Sequence, residues 1–254
     1  MDLNRKLQTR GVWFFTETMT SGDAIAFAKR VESLNYSALW LPETTGRDPF
    51  SHISMLLSNT ESLVFATGIA NIHHRHPGVT KQAATTLAEM ADNRFVLGLG
   101  VSHAPLVEGL RQLDYSKPLA SMRKYLTEMK NSPYTSVPPP EDPLCILAAL
   151  GPKMLELSGE LADGAHPYWT TPEHTALARG ILGGDKMLCV EQKVAFTTDK
   201  EVAHQTARVE LARYIHLPNY RNNWKRLGFT DEEIDQTDER FIDALVAWGT
   251  LDQI

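Results

Sequence analysis

The chain has 254 residues, a formal net charge of −6 at pH 7 and a composition pI of about 5.8. No basic stripe interleaves with aromatic residues, which excludes nucleic acid from the expected partners, and no apolar stretch is long enough to span a membrane. The N-terminus lacks the apolar core of a signal peptide, and Cys145 and Cys189 lie in apolar runs typical of buried free thiols. These features predict a cytoplasmic enzyme or binding protein, whose length suits two small domains or one (β/α) barrel.

Apolar runs that favour strands alternate with helix patterns along the chain. The predicted strands cover 12–15, 37–42, a run that begins at 63, and then 94–100, 144–150, 162–168 and 187–196. Apolar residues at helical spacing, and capping residues before them, predict helices near 24–34, 49–57, 84–91, 122–129, 154–161, 172 onwards and 241–248, with capping boxes at Thr198/Glu201 and Thr230/Glu233. The proline-rich segment 131–143 interrupts this pattern, and we interpret it as a surface loop because the alternation resumes unchanged after it.

Strand–helix alternation requires parallel pairing with helical crossovers, as in a doubly wound sheet or a (β/α)8 barrel. No G-x-G-x-x-G follows the first strand, which disfavours a dinucleotide-binding sheet. Polar clusters follow the strands, as on the rim of a barrel where active sites lie. We therefore predict one α/β domain over 1–254, a (β/α)8 TIM barrel. Because the sequence after Trp248 reads GTLDQI, we expect this barrel to lack the last helix and the eighth strand.

The segment Leu63–Pro77, LVFATGIANIHHRHP, is the most informative stretch of the chain. Its β-branched and aromatic start predicts a strand buried on both faces, and its polar end predicts a functional rim. Gly68 inside this strand indicates a bulge, or a close approach of another group to the backbone. A core strand followed by a solvated basic turn would give the same pattern.

Two further strand ends are candidates for ligand binding. The segment 151–154 opens a helix behind Pro152 without a Ser, Thr or Asp cap, and free amides at a helix start bind anions or solvent. Gly98, Gly100 and Ser102 carry little side-chain bulk, which favours either a flat ligand against the backbone or close strand–helix packing.

Three side chains are candidate proton-transfer groups: His73, His103 and Glu43. Imidazole titrates near neutrality and can donate a proton, and Glu43 at a strand exit suits a general acid or base, or a partner for backbone amides. No acidic residue is spaced with the histidines as a metal site requires, and we expect no metal. The motifs G-x-S-x-G and G-x-x-x-x-G-K-[ST] are absent, which disfavours an α/β-hydrolase and a P-loop enzyme.

Four segments together resemble the luciferase-like monooxygenase superfamily, and within it the coenzyme F420-dependent oxidoreductases: ALWLPE, TGIANIHHRHP, RFVLGLGVSH and ALGPKMLELSGELADGAHPYWTTPEH. The resemblance runs from Gly11 to about Gln253 and implies a (β/α)8 barrel that holds a deazaflavin, or FMN in other branches, at the carboxyl ends of the strands. In this family the third strand commonly ends in a bulge with a non-prolyl cis peptide bond, which here would join Gly68 and Ile69. Family members continue beyond GTLDQI into a helix and a strand, and they often form homodimers.

The resemblance also implies the residues of the site. Phosphate would lie at the helix start formed by Leu150, Gly151, Pro152 and Lys153. The cofactor or substrate would face Gly68, Ile69, Asn71, Gly100 and Ser102, with His103, His73 and Glu43 as ring-contact or proton-transfer residues. The implied reaction is hydride transfer between the deazaflavin and a small organic substrate, for which the cofactor supplies the hydride chemistry.

Two alternatives remain open. One is an FMN-dependent monooxygenase on the same barrel. The other is a non-catalytic barrel that binds a ligand or partner without turnover. A trans peptide bond at Gly68–Ile69, with residues 151–153 covered by protein, would favour the non-catalytic barrel.

Overall fold

The computed structural model describes Leu3, Leu7 and residues 9–254 of the chain. The strands are β1 (Val12–Trp13), β2 (Ala38–Leu41), β3 (Val64–Thr67), β4 (Ala70–Asn71), β5 (Phe95–Gly100), β6 (Cys145–Leu147), β7 (Gly164–Ala165), β8 (Met187–Leu188), β9 (Lys193–Ala195) and β10 (Val246–Trp248). The α-helices are α1 (Ser21–Ser33), α2 (Pro49–Leu57), α3 (Pro77–Met90), α4 (Pro118–Asn131), α5 (Pro152–Leu161), α6 (Pro172–Leu182), α7 (Lys200–Leu211), α8 (Pro218–Arg226), α9 (Asp231–Asp235) and α10 (Glu239–Leu245). A 3₁₀ helix (Ile72–His74) follows β4, and a π-helix (Pro105–Leu110) follows β5. None of the helices in the described ranges combines the length and apolar character needed to cross a membrane.

The main sheet has eight strands, all paired in parallel. Its order is β1-β2-β3-β5-β6-β7-β8, and β4 continues the line of β3 along β5, where Ala70 pairs with Leu99. Strands adjacent in this order are also successive along the chain, with helices between most of them, which confirms the predicted barrel class. Among the described residues no strand joins β8 to β1, so the barrel is open there, as expected.

Successive strand residues point to opposite faces of the sheet and enter two separate apolar clusters. Leu39 and Leu41 of β2 pack in an outer cluster with residues of the surrounding helices. Ala38 and Trp40 pack in an inner cluster that contains Leu3 and residues of β3, β5 and β6, but no residue of helices α1 to α10. Both faces of the strands are therefore apolar, as a parallel sheet covered on both sides requires.

The two cysteines are free thiols in this arrangement, as predicted. Cys145 packs beside the outer cluster and Cys189 beside the inner one. Burial raises the pKa of each thiol to about 12, so both stay protonated and poorly nucleophilic at neutral pH.

The predictions for the last strand and last helix were wrong in detail. The run 187–196 is not one strand, because it breaks between β8 and β9. The helix predicted over 241–248 ends at Leu245, and Val246 and Trp248 instead form β10, whose register pairs Val246 with Lys193. β-Branched and aromatic side chains fit a strand well, and the distant partner β9 decides between the two conformations that local spacing allows.

One of the two predicted capping boxes forms. Thr230 and Glu233 bond reciprocally at the start of α9. At α7 the predicted box of Thr198 and Glu201 is replaced by Asp199, whose carboxylate accepts from the amides of Glu201 at 2.9 Å and of Val202 at 3.2 Å. A carboxylate at the N-cap satisfies two free amides and carries the charge that a helix start favours.

We expect Gly98→Ala to destabilise the protein by about 3 kcal/mol, because a Cβ at this position would lie 1.8 Å from the Thr67 carbonyl oxygen in the neighbouring β3. Gly180→Ala in α6 is the matched control, since no atom lies within 4 Å of its added Cβ, and it should gain up to about 1 kcal/mol. Urea unfolding measures both. A loss below about 1 kcal/mol for Gly98→Ala would contradict the tight contact of β3 with β5.

Candidate active site

A break in the third barrel strand forms one wall of the candidate site. The peptide bond Gly68–Ile69, between β3 and β4, is cis, as the family resemblance implied. The Gly68 amide donates to Leu41 O at 2.7 Å, and Trp13 Nε1 donates to Gly68 O at 2.8 Å. The Glu43 amide donates to Ile69 O at 3.2 Å. A Cβ at Gly68 would lie 2.9 Å from Trp13 Nε1, so glycine is what lets the indole cover the bulge.

The glycines of β5 make room for this bulge. Thr67 Oγ1 donates to Gly98 O at 2.7 Å and accepts from the Gly98 amide at 2.9 Å. A Cβ at Gly100 would lie 2.5 Å from Ile69 Cδ1. The close contacts of these glycines are with the neighbouring strand and the bulge, and not with a helix as the packing interpretation expected. The contact of Gly100 with a cofactor stays a prediction.

Glu43 holds together the polar turn that follows the bulge. Its Oε2 accepts from the Asn71 amide at 2.7 Å and from Arg75 Nη1 at 2.9 Å, and its Oε1 accepts from Arg75 Nη2 at 2.6 Å. His74 Nδ1 lies 3.2 Å from the same Oε1. The Arg75 guanidinium also packs over the Phe50 ring, 5.0 Å from its centroid. Both carboxylate oxygens are thus occupied by positioning contacts, and a proton-transfer role for Glu43 stays a prediction.

The two candidate histidines lie on the rim but are neutral at pH 7. Burial lowers the pKa of His103 to about 4, and its ring lies 5.6 Å from that of Tyr220. Burial also lowers the pKa of His73, whose ring lies 5.9 Å from that of Tyr115. Ser102 has a φ of 57°, and its carbonyl accepts from Tyr115 Oη at 2.7 Å. Neither imidazole holds at pH 7 the extra proton that an imidazolium donor needs, and the ring-contact or proton-transfer roles of His73 and His103 stay predictions.

The start of α5 has no side-chain cap. Gly151 occupies the N-cap position before Pro152, and no side chain caps the helix. Lys153 is exposed, and Gly151 and Pro152 are half-exposed. The guanidinium of Arg226, from α8, lies beside this start, since a Cβ on Gly151 would be 3.4 Å from its Nη2. Free amides next to a guanidinium bind phosphate or carboxylate groups.

Arg226 is the cation that makes this helix start distinctive. It donates to Asn223 Oδ1 at 3.3 Å and forms no ion pair within the described part of the chain. Burial alone lowers the pKa of Arg226. A partly desolvated guanidinium without a counter-charge gains from an incoming anion.

The bulge and the start of α5 share a wall. Tyr168, which follows β7, lies with its ring 4.9 Å from that of Trp13, the side chain over the bulge. Leu150, which precedes α5, packs in the same apolar cluster as Tyr168 and Trp169, and its carbonyl bonds His174 Nε2 at 2.8 Å. The two predicted contact regions therefore lie at the same end of the barrel.

A lysine surrounded by aromatic rings lies in this wall. The Nζ atom of Lys193 is 4.8 Å from the ring centroid of Trp13, 4.7 Å from that of Tyr168 and 5.2 Å from that of Trp169. It also lies 3.0 Å from Glu191 Oε1. Cation–π contacts and a buried ion pair hold this ammonium in one place.

Sequence reasoning missed Trp13, Glu191, Lys193 and Arg226 as members of the site. The sequence places Trp13 in one predicted strand and Glu191 and Lys193 in another, and it gives them no further role. Arg226 belongs to no motif. One signal for Glu191 and Lys193 was available in the sequence. Two charged residues, two positions apart in an otherwise apolar strand, are uncommon unless they pair with each other. No local signal brings α8 beside α5.

Comparisons with known proteins agree with this geometry. The sequence profile described as luciferase-like monooxygenase matches residues 7–254. A Mycobacterium tuberculosis protein named as a coenzyme F420-dependent oxidoreductase, Rv3520c, is 23% identical, over 96% of this chain and 88% of that protein. The 5,10-methylenetetrahydromethanopterin reductase of Archaeoglobus fulgidus is 24% identical, over 88% of this chain and 75% of that protein.

Solved structures with the same fold include enzymes of two cofactor classes. The coenzyme F420-dependent tetrahydromethanopterin reductase of Methanopyrus kandleri superposes with a TM-score of 0.77 at 15% identity, over 96% of this chain and 87% of that chain. An FMN complex of the oxygenating constituent of 3,6-diketocamphane monooxygenase from Pseudomonas putida superposes with a TM-score of 0.68 at 14% identity, over 96% of this chain and 85% of that chain. At these identities the likeness shows the fold alone.

We expect Glu43→Gln to lower the free energy of unfolding by about 3 kcal/mol, because it leaves the half-buried Arg75 without its bidentate carboxylate. Glu160→Gln is the matched control, since Glu160 makes a similar bidentate pair with Arg123 on the exposed surface. Its loss should be much smaller because solvent screens exposed pairs. Equal losses in urea unfolding would contradict the bracing role of Glu43.

The stability of the protein should also fall as the pH is lowered below 6.5. Unfolded His103 binds a proton there, whereas folded His103, with its pKa lowered to about 4, stays neutral. One proton corresponds to about 1.4 kcal/mol per pH unit, or about 3 kcal/mol between pH 6.5 and 4. In unfolding experiments between pH 6.5 and 4, the free energy of unfolding of His103→Gln should fall less than that of the wild type. Equal dependence of the two free energies on pH would contradict the lowered pKa of His103.

Proposed function

Because this chain belongs to the luciferase-like monooxygenase family, we propose that it is a coenzyme F420-dependent oxidoreductase that transfers a hydride between the deazaflavin and a small organic substrate. The observation that carries the proposal is the pairing of two places at one end of the barrel, the bulge under Trp13 and the uncapped start of α5 beside Arg226. A cofactor that combines a flat ring with an anionic tail needs both places, one for the ring and one for the tail. The F420-dependent names of the relatives support the same choice of cofactor.

The residues present fit such a cofactor. The bulge at Gly68 and Ile69 would back a ring, next to the predicted contacts Asn71, Gly100 and Ser102. The helix start formed by Leu150, Gly151, Pro152 and Lys153 would hold phosphate through backbone amides other than that of Pro152, which carries no N–H, with Arg226 as counter-charge. When bound, the deazaflavin would supply the carbon that donates or accepts hydride. The protein would orient the ring, exclude water and exchange one proton with the substrate.

The structure bears on one of the two alternatives, the non-catalytic barrel. A non-catalytic barrel was expected to show a trans bond at Gly68–Ile69 and a covered helix start, whereas the bond is cis and Gly151 is half-exposed. FMN remains the second candidate cofactor, because an FMN-bound monooxygenase shares the fold. Tighter binding of FMN than of F420 would favour it.

Parallel titrations with F420 and FMN test the proposal, with quenching of cofactor fluorescence and the shift in melting temperature as readouts. We expect F420 to bind more tightly. Arg226→Gln should weaken F420 binding by about 10-fold or more, because it removes a charge-assisted contact to phosphate. Arg208→Gln on the exposed face of α7 is the control and should bind as the wild type does. The proposal fails if F420 neither loses fluorescence nor stabilises the protein.

A further inference from the structure

Glu191 follows the carboxyl end of β8, the seventh strand in the order of the barrel sheet, and lies three residues after Leu188, where β8 ends. Its side chain is only 6% exposed. One carboxylate oxygen, Oε1, lies 3.0 Å from Lys193 Nζ. The other, Oε2, is buried and has no hydrogen-bond partner among the residues that the structure describes. A buried carboxylate with one unpartnered oxygen is costly, and such groups need a functional reason or a missing partner.

Lys193 connects this carboxylate to the bulge. Its ammonium lies on the Trp13 ring at 4.8 Å, and the same indole donates to Gly68 O at 2.8 Å. Tyr168 Oη accepts from Lys193 Nζ at 3.1 Å, which fixes the ammonium from the other side. The Glu191/Lys193 pair is therefore separated from the bulge by a single aromatic side chain.

The other titratable groups around this wall are poor proton-exchange groups at neutral pH. Burial lowers the pKa of His103 and of His166 to about 4, so both rings are neutral. Burial raises the pKa of three phenols that surround Glu191, namely Tyr168, Tyr214 and Tyr220. Glu43 has both oxygens engaged by donors.

Glu191 differs from all of these groups. Burial raises its pKa, and the Lys193 ammonium and the Trp169 amide oppose that rise without cancelling it. A carboxyl group tuned upward by burial, with a fixed cation beside it, is the usual form of a general acid in a buried site.

We propose that Glu191 is the proton-exchanging residue of the site, that Lys193 positions it and stabilises its ionised form, and that the substrate carries a polarised C=O or C=N bond. This inference rests on the proposed F420-dependent function. In the reductive direction the substrate carbon accepts hydride from the reduced deazaflavin, and the π electron pair moves to the heteroatom. The Glu191 carboxyl O–H gives its proton to that heteroatom, which leaves the carboxylate beside the Lys193 ammonium and the cofactor oxidised. In the oxidative direction the same carboxylate takes the proton back.

The first test uses the protein without cofactor. Infrared difference spectra recorded over a pH series should show a protonated carboxyl band that disappears at a pH above the ordinary glutamate pKa of 4.5. Glu191→Gln should lack this band. Lys193→Met should move its disappearance to higher pH, because the cation that favours the carboxylate is gone. If Glu191→Gln keeps the band, or if Lys193→Met leaves its midpoint in place, the proposal is overturned.

Unfolding experiments provide a second readout that needs no cofactor. Because the pKa of Glu191 is raised in the folded state, its contribution to stability is greatest below pH 4.5 and is lost as the pH rises through the folded-state pKa. The wild type should therefore lose stability relative to Glu191→Gln over that interval. Parallel curves for the two proteins would contradict the titration of Glu191.

The third test uses protein loaded with reduced F420 and a panel of small aldehydes, ketones, imines and enones. With the best substrate of the panel, Glu191→Gln should lower kcat at least 100-fold while the Kd for F420 changes less than 2-fold. Glu191→Asp should recover part of kcat. In the wild type, kcat should fall as the pH rises, and Lys193→Met should move that fall to higher pH.

Three outcomes of the third test separate the two proposals. If F420 does not bind, the proposed function fails whatever the infrared titration shows. If F420 binds but no C=O or C=N compound is reduced, the substrate class and the role of Glu191 are overturned while the cofactor assignment stands. If Glu191→Gln keeps the wild-type kcat and pH profile, the proton-exchange role alone is overturned.

Discussion

The break between β3 and β4 is the constraint on which the rest of the site depends. Gly68 can lie there because it has no Cβ to meet the Trp13 indole, and the indole in turn bonds its carbonyl. Glu43 fixes the other side of the break through the amide of Asn71 and the carbonyl of Ile69. Three hydrogen bonds, from Trp13 Nε1 to Gly68 O, from the Glu43 amide to Ile69 O and from the Asn71 amide to Glu43 Oε2, thus hold one backbone surface.

Pairing of charges divides the cations at this end of the barrel into two kinds. Arg75 is neutralised by Glu43, and Lys193 by Glu191. Arg226 has no carboxylate partner in the described residues and lies beside free helix amides. The paired cations brace the protein, whereas the unpaired one is available for a ligand. This division, more than the number of basic residues, indicates where an anionic tail would lie.

Burial determines what the titratable groups of the site can do. It lowers the pKa of His103 to about 4 and raises that of Glu191 above its ordinary value, so burial favours the neutral form of both groups. Aromatic rings pack beside both groups: Tyr220 lies against His103, and Trp13, Tyr168 and Trp169 surround the ammonium of Lys193, the partner of Glu191.

The sequence by itself determined the parallel α/β architecture, the bulge at Gly68 and the uncapped start of α5, because each depends on residue order within about a dozen positions. Apolar periodicity, a glycine inside a strand and a proline that opens a helix without a capping side chain are local signals. The tertiary structure alone decided that Arg226 lies beside Gly151, that Lys193 lies on Trp13 and that 246–248 forms a strand against 193–195. These contacts join residues far apart in sequence, and burial, which sets the pKa of Glu191 and His103, exists only once they form.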